Sequence, residues 1–116
     1  MNEVPKEKKV TCTIDFERRF DFMQQHSGEH ALSGVILKLF SGANKGFHIG
    51  QDYVTIDINI KDMSDEMLVE AEKLTNKFIY ENQIVNQILT DSSGIKNYPI
   101  RKEIAAQDDI RVVSMG

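Results

Sequence analysis

His26 and His30, two of the three histidines in this 116-residue chain, stand four residues apart within Gln24-Gln25-His26-Ser27-Gly28-Glu29-His30. On a helix, residues at i and i+4 have Cβ atoms about 5–6 Å apart on one face, so two imidazoles placed this way can reach one tetrahedral metal ion, with zinc the natural partner of nitrogen donors. The spacing permits such a site without demanding it. At 100° per residue the same face carries Phe22, Met23, Ser33 and Leu37, with Glu29 at its edge, which points the pair into a partly apolar groove. Glu29 is the candidate general base by proximity; the alternative is an exposed helix glutamate. Gly28 and Gly34 each cost about 1 kcal/mol relative to alanine inside a helix, and either a close approach of backbone or ligand, or tight helix-on-sheet packing with Ser27 and Ala31, would account for them.

Further readings of the same residues stay open. His26-Ser27-Gly28-Glu29-His30 also spells H-x-x-E-H, the inverted zinc-peptidase pattern, in which two histidines bind zinc and the glutamate is the base. That chemistry needs a downstream acidic ligand, for which Glu103 is the candidate. His48 lies between Gly46 and Gly50, where backbone can approach a ligand closely, and is either a pocket residue or a hydrogen-bonded strand histidine. Arg18 and Arg19 at the start of the helix, with Lys45, are candidates for phosphate contacts or for a solvated surface.

The elements that position these groups follow from periodicity. Residues 9–16 alternate around Val10-Thr11-Cys12-Thr13-Ile14 and predict a half-buried strand, with Cys12 as a small apolar residue within it. Residues 17–40 run without proline to a stop at Gly42 and predict a long helix. Two strands are expected around 46–50 and 53–60, where Val54, Ile56, Ile58 and Ile60 alternate with polar residues. Ser64-Asp65-Glu66 signals an N-cap with acids in the first turn. The helix it opens should run to about Glu81 with Met67, Leu68, Ala71, Leu74, Phe78 and Ile79 as its core stripe. Strands at 84–89 and 110–115 flank a turn at Asp91-Ser92-Ser93-Gly94. The expected fold is α+β: one domain over 1–116, a two-layer sandwich with two long helices packed on one face of a largely antiparallel sheet.

Composition narrows the function classes. With 41% hydrophobic and 28% charged residues the chain has the make-up of a soluble globular domain. A single cysteine excludes an internal disulfide and any cysteine-rich zinc module within the chain. The net charge of −4 argues against a protein that coats long stretches of nucleic acid. A small basic patch, drawn from Lys6, Lys8, Lys9, Arg18, Arg19, Lys38, Lys45, Arg101 and Lys102, remains available. No apolar run approaches the roughly 20 residues of a membrane span, and residues 1–10 lack the apolar block of a secretory signal. The expectation is therefore a cytoplasmic protein with no membrane partner. The oligomeric state is not legible.

A wider pattern is more specific than any of these spacings. The run Ile14-Asp15-Phe16-Glu17-Arg18-Arg19-Phe20-Asp21-Phe22-Met23-Gln24-Gln25-His26-Ser27-Gly28-Glu29-His30, followed by Gly46-Phe47-His48-Ile49-Gly50 and Val54-Thr55-Ile56-Asp57, resembles the AlaX-type alanyl-tRNA editing proteins, relatives of the editing domain of alanyl-tRNA synthetase. The resemblance spans roughly residues 9–116. It implies a zinc-dependent hydrolase that cleaves serine or glycine from misacylated tRNA(Ala), acting in trans on the acceptor end. Under it, His26 and His30 are two of the zinc ligands, Glu29 is a candidate catalytic group, and His48, Arg18 and Arg19 are candidate substrate contacts. The family supplies its remaining ligands from a C-x-x-x-H motif after a strand like Ile110–Met115, whereas this sequence ends at Gly116. The implied zinc site is therefore partial and its affinity weak or absent, as in a shortened form of a larger editing protein. No ligase chemistry is expected, because there is no glycine-rich phosphate loop. The alternative is a non-catalytic binding module that keeps the editing-domain fold without a working metal site.

Overall fold

The computed structural model describes residues 9–100, 105 and 108–116. Lys6, Lys8, Arg101, Lys102 and the peptidase candidate Glu103 lie outside the described residues. The order of elements is α1 (Phe16–Phe40), β1 (Asn44–Ile49), β2 (Val54–Ile58), α2 (Asp65–Tyr80), β3 (Val85–Thr90), a short 3-10 turn (Gly94–Asn97) and β4 (Ile110–Met115). The α+β class expected from the sequence is present: two long helices, with every strand pair antiparallel. The described strands pair as two two-stranded sheets, β1 with β2 and β3 with β4. The chain divides into two compact units at Ser64/Asp65.

In the first unit, Asp15 decides where α1 begins. Its backbone is extended and its Oδ1 accepts the amide hydrogen of Arg18 at 3.1 Å, satisfying one of the helix's unpaired N–H groups. Glu17 in the first turn and Lys38 in the last complement the helix dipole. The strand expected over 9–16 is therefore corrected: residues 9–15 carry no regular structure, and Val10, Cys12 and Ile14 are exposed. Alternation alone makes no strand when no neighbouring edge pairs with it and a capping residue starts a helix at its end.

The helix ends at Phe40 as expected, but the left-handed residue that stops it is Ser41 and not the glycine. Ser41 takes the left-handed conformation (φ 55°), and the Ser41 and Gly42 amides donate to the Leu37 and Ile36 carbonyls at 3.0 and 3.4 Å. Gly42 serves space rather than conformation, since a Cβ there would stand 2.8 Å from Ile36 Cγ2 and 2.5 Å from Ile60 Cδ1.

β1 and β2 form a hairpin closed by Gly50, whose N–H donates to the Tyr53 carbonyl at 3.0 Å. Phe47 pairs with Ile56, His48 with Thr55 and Ile49 with Val54, but the register slips between Asn44 and Gly46, leaving Lys45 as the extra residue of a bulge. Without it, Asn44 and Phe47 would point to opposite faces. The inserted residue brings both onto the face shared with Val54, Ile56 and Ile58, the side on which α1 packs. The buried positions of α1 are Glu29, Ala31, Ser33, Val35 and Ile36.

In the second unit, α2 spans Asp65–Tyr80 with Asp65 and Glu66 in its first turn. Of its expected stripe, Ala71 is buried, and Met67, Leu74 and Phe78 are half-buried. Leu68 and Ile79 are exposed; Thr75, whose hydroxyl donates to the Ala71 carbonyl at 2.7 Å, is buried instead. β3 and β4 pair from Val85 opposite Met115 to Thr90 opposite Ile110. The turn after β3 is organised by Asp91, whose Oδ1 accepts the Ser93 and Gly94 amides at 2.9 and 2.8 Å and the Ser93 hydroxyl at 2.6 Å. These bonds hold its carboxyl below the usual aspartate range, the Ser93 hydroxyl contributing most.

Candidate metal site on the first helix

The imidazoles of His26 and His30 meet as the i, i+4 spacing predicts. Their Nε2 atoms lie 3.0 Å apart and their ring centroids 4.8 Å. Two bonds of about 2.0–2.1 Å from a tetrahedral zinc set their donor atoms roughly 3.3 Å apart, so the pair needs only a few tenths of an ångström of adjustment to share an ion. Phe47, turned toward α1 by the bulge, stacks on His26 with ring centroids 5.6 Å apart and an interplanar angle of 19°, although both side chains remain exposed. The donor set therefore fits zinc, with two nitrogens supplied and the remaining coordination places left to other groups. His26, Glu29 and His30 are the single cluster of metal-capable side chains among the described residues, with ligand atoms within 4.8 Å of one another.

Glu29 is not the exposed helix glutamate that its residue type suggests. It is 4% exposed, and Ser33, one turn on, is 2% exposed. Glu29 Oε1 accepts the Ser33 hydroxyl at 2.6 Å and a hydrogen bond from Asn44 Nδ2, which also donates to Ser33 Oγ at 2.9 Å. The three side chains form a closed polar joint between α1 and β1. The other oxygen, Oε2, has no hydrogen bond of good geometry and stands 3.3 Å from His30 Nδ1, on the side of the ring away from the converging Nε2 atoms. Only Oε1 is tied down in this way; Oε2 is left unengaged by Ser33 and Asn44.

The remaining expected site residues divide. Arg18, Phe22, His26 and His30 follow one another at four-residue steps along a single ridge of α1, and the Arg18 guanidinium lies over the Phe22 ring, 5.2 Å from its centroid. Arg19 is exposed, about 100° round the helix from Arg18. His48 is not brought to the pair. It follows Phe47 in β1, so its side chain lies on the opposite face of the hairpin with Thr55. Neither Gly28 nor Gly34 is explained by a close neighbour, for a Cβ at either position would meet nothing within 4 Å. Asn44 and Phe47 were not legible as site residues, because a strict alternation over β1 cannot place both on the helix side.

No family model matches the chain. Curated relatives do. Alanyl-tRNA editing protein AlaX-L of Pyrococcus horikoshii is 33% identical over 120 residues, covering 98% of this chain and 29% of its own length. Alanyl-tRNA editing protein AlaX-M of Methanosarcina mazei is 33% identical over 81 residues, covering 70% of this chain and 32% of its own. An alanine–tRNA ligase of Pyrococcus furiosus is 35% identical over 75 residues, 62% of this chain but 8% of that enzyme. The chain is thus a homologue of the alanyl-tRNA editing proteins and of alanine–tRNA ligase. It spans less than a third of the length of these relatives.

Proposed function

We propose that this chain carries the helix-borne half of a zinc-dependent editing site, and that the reaction it serves is hydrolysis of the ester joining serine or glycine to tRNA(Ala). The observation that carries this reading is the convergence of His26 Nε2 and His30 Nε2 at 3.0 Å in a homologue of alanyl-tRNA editing proteins. When bound, zinc supplies Lewis-acid chemistry, either activating water or anchoring the substrate's amino group. The chain's own contribution is positional. The two imidazoles would hold the ion on the ridge of α1, with Phe47 stacked on the His26 ring. Arg18, eight residues from His26 on the same ridge and so about 12 Å along the axis, offers a guanidinium to a phosphate of the acceptor end, with Arg19 beside it. His48 lies on the other face of the hairpin from Phe47, opposite Thr55.

The test is zinc affinity followed by turnover. The chain is compared with the same chain extended by a Cys-x-x-x-His segment, with His26→Ala and His30→Ala variants of each as controls. Two imidazoles should bind zinc weakly, and completion of the ligand set should tighten binding and raise the melting temperature through linkage. The zinc-loaded, extended chain should then release serine from Ser-tRNA(Ala) while sparing Ala-tRNA(Ala). Absence of zinc binding in both forms, or binding untouched by both alanine variants, would remove the metal reading and leave a non-catalytic interaction module.

A further inference from the structure

We infer that Glu29 is a positioning residue, whose buried Oε2 fixes the proton of His30 on Nδ1 so that Nε2 presents its lone pair to the metal; the inference rests on the zinc reading above. The starting observation is an orphan. Glu29 is 4% exposed, its Oε1 is doubly engaged by Ser33 and Asn44, and Oε2 is buried without a hydrogen bond of good geometry. A buried polar atom left without a partner is costly. His30 Nδ1, 3.3 Å away, is in reach of a modest ring rotation.

The Nε2 atoms of His26 and His30 are within hydrogen-bond distance, with the roles of the two rings set by their tautomers. In a neutral ring one nitrogen donates and the other accepts. His26 and His30 face each other through Nε2 at 3.0 Å, so a metal between them requires the proton of each ring to sit on Nδ1. For His30 the acceptor on that side is a carboxyl oxygen that the protein has already immobilised. Carboxylate acceptors behind metal-bound histidines hold both the tautomer and the ring angle. The immobilisation is reciprocal: Ser33 comes from the next turn of α1 and Asn44 from β1, and the latter reaches Glu29 because the bulge at Lys45 turns it toward the helix. The hairpin thus bears on the orientation of His30 through Glu29.

Glu29→Gln separates this role from simple packing. With its oxygen kept on Ser33 and Asn44, glutamine places an NH2 donor against His30 Nδ1, which forces the ring proton onto Nε2 and closes the metal side. The experiment records long-range proton–nitrogen correlations of nitrogen-15 histidine in the metal-free chain at mildly alkaline pH, then zinc affinity by competition with a chromophoric chelator. The wild-type chain should show His30 protonated on Nδ1. Glu29→Gln should show the opposite tautomer, unchanged far-ultraviolet helicity, and zinc affinity lower by about 10- to 100-fold. A wild-type His30 protonated on Nε2 overturns the assignment, and this readout needs no variant to fold. So does a Glu29→Gln chain with unaltered tautomer and affinity. A wild-type Nδ1 tautomer that inverts in Glu29→Gln, in a chain that takes up no zinc even when extended by the Cys-x-x-x-His segment, upholds the assignment and removes the metal reading instead.

Discussion

Asn44→Ala is the most informative single perturbation of the fold around the site. The Asn44 amide makes one hydrogen bond to a buried carboxyl oxygen and one to a buried hydroxyl, and both acceptors sit on α1. A hydrogen bond to a charged group contributes about 1.5–3 kcal/mol and one between neutral groups about 0.5–1.5 kcal/mol. Ser33 still donates to Glu29 in the variant, which limits the damage. The expected loss is therefore about 2–4 kcal/mol. Because the chain divides into two units, the assay should read the first one alone. Native-state hydrogen exchange at the Val35 and Ile36 amides does so, and protection should fall roughly 30- to 700-fold at about 1.4 kcal/mol per decade. Lys45→Ala, at the exposed bulge residue, should change protection by less than about twofold, within the usual range for surface sites. A loss under about 0.5 kcal/mol for Asn44→Ala would refute the claim that this joint fastens α1 to β1. So would equal effects of the two variants.

Other outcomes follow from particular contacts. Gly28→Ala and Gly34→Ala, whose added methyl groups meet nothing within 4 Å, should each stabilise α1 by about 0.5–1 kcal/mol; destabilisation in thermal melts would show that a close neighbour had been missed. Gly42→Ala should do the reverse, losing about 1–3 kcal/mol by overpacking against Ile36 and Ile60, with midpoint urea concentration as the measure. Asp91, held below its ordinary value of 3.8 by Ser93 and Gly94, contributes stability above the unfolded aspartate range that is lost as pH falls through the folded value. Asp91→Ala should therefore flatten the acid limb of a stability–pH profile below about pH 4, and an unchanged limb would count against the turn's role.

What was legible at the site was its local part. The i, i+4 spacing of His26 and His30 is a property of the helix itself, so the convergence of their nitrogens required only that α1 form, and its length was readable. The buried carboxyl was not. Glutamate on a helix is ordinarily solvated, and no local rule says that Glu29 faces a strand more than a dozen residues on. The exposed Phe16, Phe20 and Met23 further blur the apolar stripe from which a buried face is usually read. Nor did composition reveal that Gly28 and Gly34 face open space while Gly42 is hemmed in by two isoleucines.

The sequence by itself determined the α+β class, both helices, the turn at Asp91, the β4 limits at Ile110–Met115 and the kinship with alanyl-tRNA editing proteins. Each of these rests on periodicity, capping or residue identity within a short window. Tertiary structure alone decided three further matters: that residues 9–15 form no strand, that a one-residue bulge turns Asn44 and Phe47 to the same side, and that Glu29 lies behind His30. The physical reason is common to all three. A strand needs a partner edge, a bulge exists only relative to the opposing strand, and a carboxyl group is buried only when donors from elsewhere in the fold replace the water it gives up.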